Sequence, residues 1–131
     1  MPIRVRVYPE KRLVLASGHG FVTDGDVFGY QREIWSRRDI QGFDEIVDMT
    51  MADDVVLPTP ERMQALAELA ASTDPPTTSA RFAIVAPDRI MFALGRMYGA
   101  YRAYLPLSSK HVEVFRTLRE ALAFLDIEEL T

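Results

Sequence analysis

The chain has 131 residues, of which 48% are apolar and 26% charged, and it contains no cysteine. That length fits one domain around one core, and the missing thiols exclude disulfides, thiolate metal sites and a cysteine nucleophile. A formal charge of −4 with dispersed basic residues argues against nucleic acid and anionic lipid as partners, because both require clustered positive charge.

No apolar run approaches the ~20 residues that cross a bilayer, and the alternating start at Met1 to Arg6 lacks the apolar stretch of a signal peptide. The expectation is a single cytoplasmic domain over residues 1–131 with no transmembrane segment. In chain order, Ile3-Arg4-Val5-Arg6-Val7-Tyr8 alternates with period two and predicts a strand with one covered face. Pro9 to Arg12 supplies a turn, and Leu13 to Gly18 predicts a second strand, paired with the first as an antiparallel hairpin that ends at Gly18-His19-Gly20.

Thr23 followed by Asp24 and Asp26 places a capping hydroxyl and early acids at a helix start. Val27, Tyr30 and Ile34, flanked by Phe28 and Trp35, give that helix its sheet-facing stripe, with Gln31, Arg32 and Glu33 on the polar side and an end near Arg38. Phe43 to Met49 predicts a third strand. After a loop, Thr59-Pro60-Glu61 combines an N-cap, a first-position proline and an early acid; Met63, Leu66, Ala67 and Ala70 form the stripe of this second helix. The nearly continuous apolar run Arg81 to Ala86 predicts a central strand buried on both faces. Pro87-Asp88 opens a third helix with Ile90, Leu94, Met97, Tyr98, Tyr101 and Tyr104 as its core face, stopped by Pro106. His111 to Phe115 predicts the fifth strand, and Thr117 with Glu120 forms a capping box before the last helix. The order β-β-α-β-α-β-α-β-α specifies an α/β domain with a mixed five-stranded sheet, mostly parallel after an N-terminal antiparallel hairpin, and four helices.

These elements resemble the SpoIIAA-like proteins, small STAS/SEC14-type domains related to anti-sigma-factor antagonists. The resemblance rests on the hairpin, on Asp48-Met49-Thr50, and on the C-terminal half. There it is carried by Arg81 to Asp88, Gly95-Arg96-Met97-Tyr98, Val114-Phe115-Arg116 and Glu120 to Leu125. It covers most of the chain and implies a noncatalytic binding or regulatory domain rather than a particular reaction. Antagonists of this kind carry a phosphorylatable Ser in an Asp-x-Ser stretch at the mouth of the next helix. Here Thr50 holds the hydroxyl position, but the helix start lies nine residues later at Thr59. Thr50 and Thr59 are therefore both candidate phosphoacceptors, and Thr59 is also an N-cap.

The C-terminal strand ends, where open α/β sheets bind ligands, collect His19, Asp24, Asp26, Asp48, Asp53, Asp54 and Asp88. His19, with glycines on both sides, could act as a general base beside Asp48, which defines an alternative hydrolase-like or metal-assisted reading. The acids match no metal-loop spacing. No nucleophile elbow, phosphate loop or dinucleotide fingerprint accompanies them, so neither a metal nor a cofactor is expected. The leading reading uses the third helix. Phe92, Arg96, Gly99 and Ala103 lie opposite its core face, Gly95 and Gly99 permit close backbone approach, and Met91, Met97, Tyr98 and Tyr101 offer adaptable walls. The expected contact residues are Met91, Phe92, Gly95, Arg96, Tyr98 and Gly99. Their expected occupant is a second copy in a homodimer or a partner protein, with a small apolar ligand between helices and sheet.

Overall fold

The period-two alternation at the start of the chain forms an edge strand in the computed structural model, which describes residues 2–55, 59–76 and 78–130. Strand β1 (Ile3–Tyr8) turns through a short 3-10 helix at Pro9–Lys11 and a left-handed Arg12 (φ 49°) into β2 (Leu13–Gly18). The two pair antiparallel, with Val5 opposite Ala16. Strands β4 (Asp44–Asp48), β6 (Arg81–Val85) and β7 (His111–Phe115) then add in parallel, giving one five-stranded sheet in the order β1-β2-β4-β6-β7. Phe82 to Val85 of β6 are all buried, as the continuous apolar run requires, although β4 takes the middle position. Two short strands not expected from the sequence, β3 (Gly20–Val22) and β5 (Ala52–Val55), pair in parallel as a separate ribbon. Their three and four residues, including Asp53 and Asp54, are too few and too polar to carry a period.

Helices α1 (Asp24–Ile34), α2 (Pro60–Thr73), α3 (Arg89–Tyr104) and α4 (Leu118–Phe124) begin where the caps stand. Thr23 and Asp26 form a reciprocal box, as do Thr117 and Glu120, while the Thr59 hydroxyl accepts from the Arg62 N–H and the Asp88 carboxylate from those of Ile90 and Met91. These contacts satisfy amides that a helix start leaves without intrahelical partners. Helix α1 stops at Ile34, short of Arg38, because Trp35 turns into the core at 2% exposure and the Gln41 side chain donates to the Trp35 and Arg37 carbonyls. Among the described residues no helix is long and apolar enough to cross a membrane.

Strand alternation separates two cores. On one face Leu13, Ile46, Ala83 and Val85 meet Ala121 and Leu125 at α4. On the other, Val14 and Ala16 meet Tyr30 and Trp35, and Phe82 and Ile84 meet Met63, Ala67 and Tyr98, so that α1, α2 and α3 share this side.

The face of α3 differs from the sequence expectation. Its buried row is Met91, Gly95, Tyr98 and Arg102, whereas Ile90, Met97 and Tyr104 are 59%, 43% and 88% exposed. Glycine placement explains the rotation. A Cβ at Gly95 would lie 3.2 Å from both Val114 methyls, and one at Gly99 would lie 3.6 Å from Val112. The helix therefore rests on β7 through its smallest residues, while periodicity alone favoured its largest ones. Gly99 consequently faces the sheet rather than an outer strip. Phe92 is half-buried, with the Arg116 guanidinium 4.2 Å from its ring centroid; Arg96 remains exposed.

Candidate functional site

Two alternating strands and three helices build one concave site. Glu45 and Val47 of β4, with Phe82 and Ile84 of β6, point to the side covered by α1, α2 and α3. Between these layers lies a chamber of about 160 Å³, walled by Val47, Ile84, Met49, Met63, Leu66 and Leu94. Val47 is only half-buried despite its place on the middle strand, because it borders this chamber.

The strand direction gives the chamber two ends. Near the C-terminal ends of the parallel strands, Thr23, Asp24 and Arg62 form the mouth. Arg62 Nε donates to Asp24 Oδ2 at 2.8 Å, joining α1 to α2, and its guanidinium stacks 4.1 Å from the Phe28 ring centroid. The hydrogen bond from Arg62 lowers the Asp24 carboxyl pKa.

At the opposite end the floor is lined by Tyr30, Glu45 and Tyr98, whose polar atoms belong to a buried hydrogen-bond network. Trp35 Nε1 donates to Tyr30 Oη at 2.9 Å, and Tyr30 Oη donates to Glu45 Oε2 at 2.7 Å. Lys110 Nζ donates to Glu45 Oε1 at 3.1 Å while sitting 3.2 Å from the Trp35 ring centroid. Arg102 organises the neighbouring network: Nη1 donates to Tyr98 Oη at 2.9 Å, Nε to Ser108 Oγ at 2.7 Å and Nη2 to Asp74 Oδ2 at 2.6 Å. Asp74 Oδ2 also accepts from the Ser109 and Lys110 amides. No side chain of either ion pair exceeds 4% exposure, and among the described residues no buried side-chain nitrogen or oxygen lacks a partner, as burial of charge requires.

Burial, aided by the nearby Glu45 charge, pushes the Tyr30 phenol well above its ordinary pKa; burial pushes the Tyr98 phenol up to about 12. At neutral pH both are neutral hydrogen-bonding groups and poor proton acceptors. For Arg102, burial opposes the charge, but Tyr98 and Asp74 outweigh it and raise the guanidinium pKa.

Of the residues expected on α3, Met91, Gly95 and Tyr98 border the chamber, while Phe92, Arg96 and Gly99 lie outside its lining. His19 and Asp48 are not joined: among the described residues no hydrogen bond or ion pair links their side chains. The Asp48 carboxylate instead accepts from Thr50 N at 3.0 Å and Thr50 Oγ1 at 2.5 Å, and His19 N donates to the Pro2 carbonyl. Thr50 and Thr59 are both exposed. Asp26 and Asp88 serve as caps, and among the described residues no group of three His, Asp or Glu side chains could hold a metal ion. Sequence reasoning missed Glu45, Asp74, Arg102 and Lys110. One signal was present for Glu45: with Asp44 and Glu45 adjacent in a strand, alternation turns them to opposite faces.

No family model matches the chain, and no curated protein does. Among solved structures it is similar to an uncharacterized protein of the DUF3478 family, with a SpoIIAA-like fold, from Shewanella loihica PV-4. The likeness has 15% sequence identity and a TM-score of 0.57, and covers 94% of this chain and 91% of that one. The fold of the present chain is SpoIIAA-like.

Proposed function

We propose that this SpoIIAA-like domain acts by binding, as a receptor for a small, mainly apolar molecule held between the sheet and helices α1, α2 and α3. The observation that carries this reading is the chamber of about 160 Å³ with apolar walls, since an apolar cavity of about 150 Å³ is enough to hold benzene. Its mouth, near the C-terminal ends of the parallel strands, opens on the side where open α/β sheets usually bind ligands. The enzyme alternative lacks support, because Asp48 engages Thr50 and the buried phenols are held protonated.

Ethylbenzene tests the chamber directly. A saturating ligand raises the melting temperature by mass action, with about 2.7 kcal/mol of stabilisation at a hundredfold excess over Kd. Val47→Phe places a ring in the same space, and the expected result is at least a tenfold loss of ethylbenzene affinity in a folded variant. Calorimetry that finds equal ethylbenzene binding to both proteins, or no binding of either ethylbenzene or acetophenone to the unaltered protein, would overturn the reading.

A separate observation favours contact between two copies. Ile90, Ala93, Met97, Ala100 and Tyr104 are all exposed on α3. Their alternating steps of three and four residues are those of a coiled-coil seam. The row alternates large and small residues in the same order from either end, which suits the α3 of a second copy related by a two-fold axis. Under this reading Met97→Glu converts a dimer into a monomer in sedimentation equilibrium without loss of helicity. A monomeric unaltered protein would remove it.

A further inference from the structure

We infer that the chamber selects a neutral ligand with one hydrogen-bond acceptor, a ketone or ester carbonyl at the end of an apolar body, seated on the Tyr98 hydroxyl. The inference rests on the chamber being a ligand site and concerns what that site prefers.

The donors and acceptors of the floor lead to this class. The Tyr30 proton goes to Glu45 Oε2 and a Lys110 proton to Oε1, so both oxygens of Glu45 are engaged. Tyr98 differs. Its oxygen accepts from Arg102 Nη1, but its own proton meets no acceptor among the described residues, although the residue is only 8% exposed. Buried phenols ordinarily deliver that proton to a partner. Tyr98 also borders the chamber, and burial keeps its phenol protonated to about pH 12, so it remains a donor throughout the physiological range.

Charge narrows the class further. Glu45 is matched by Lys110 and Asp74 by Arg102, each pair nearly inaccessible to water. The floor thus has no uncompensated positive charge for a carboxylate and no free carboxylate for an amine. A charged ligand would add an unpaired buried ion. A pure hydrocarbon would leave the Tyr98 donor unused, and a site built around a hydrogen bond discriminates against analogues that lack it.

Ethylbenzene, acetophenone and benzoate share an aromatic body and separate these possibilities. In the unaltered protein, acetophenone should bind about tenfold more tightly than ethylbenzene, and benzoate more weakly than acetophenone. In Tyr98→Phe the acetophenone-to-ethylbenzene affinity ratio should fall to about one; because the ratio is taken within one variant, general loosening of the chamber largely cancels. The infrared carbonyl stretch of acetophenone bound to the unaltered protein gives a readout that needs no variant, and should fall below its value in hydrocarbon solvent.

Ethylbenzene binding without a preference for acetophenone would overturn the inference while leaving the receptor reading intact. Tightest binding by benzoate, a ratio unchanged in Tyr98→Phe, or a hydrocarbon-like carbonyl stretch would also overturn it. Failure of both neutral probes to bind would remove the receptor reading itself.

Discussion

Asp74→Ala is expected to lower the unfolding free energy by about 3–5 kcal/mol, the cost of removing one member of a buried ion pair. Asp74 Oδ2 accepts from Arg102 Nη2 and from the amides of Ser109 and Lys110, and both side chains of the pair are 2% exposed. Its loss leaves a buried guanidinium without a counter-charge and releases two backbone donors. Small domains are stable by about 5–15 kcal/mol, so this variant should approach the folding threshold at physiological temperature. Urea unfolding at neutral pH measures the effect, and a loss below about 1 kcal/mol would mean that water or another acceptor replaces Asp74.

Glu45→Leu should cost a similar 3–5 kcal/mol, since it leaves the Lys110 ammonium buried against the Trp35 ring without its carboxylate. Adding Lys110→Met should then recover much of the loss, because the second change removes the unpaired charge and keeps an apolar stem of similar length. Recovery should be incomplete: the Tyr30 hydroxyl also loses its acceptor, Glu45 Oε2. Denaturant unfolding of the two single variants and the double variant decides this. A double variant no more stable than Glu45→Leu would show that the lysine reaches water or another partner once Glu45 is gone.

What was legible in the sequence was local chemistry. The hydroxyl-acid starts at Thr23 and Thr117, the Thr59-Pro60 start and the alternating first strand report contacts within a few residues, and each stands where expected. The resemblance drawn from the hairpin and the C-terminal half agrees with the observed SpoIIAA-like fold. The polar floor was less accessible because its partners are distant: Glu45 and Lys110 are separated by 65 residues, and Asp74 and Arg102 by 28. Acids and bases in such segments normally favour the surface, and a one-dimensional pattern does not pair them. The orientation of α3 was obscured for another reason. Its large aromatic and aliphatic residues dominate any hydrophobic pattern, while Gly95 and Gly99, which allow the tightest packing against β7, contribute almost nothing to it.

The closeness of α3 to β7 also governs the size of the chamber. A methyl group at position 95 would press on both Val114 methyls at 3.2 Å and on Ile84 at 3.4 Å, so either the strand side chains would yield or the helix would lift. Because α3 is one side of the chamber, lifting it would widen the space beneath the helices. The missing side chain at Gly95 thus works as a gauge, linking the dimensions of the chamber to the tightness of the core beneath it.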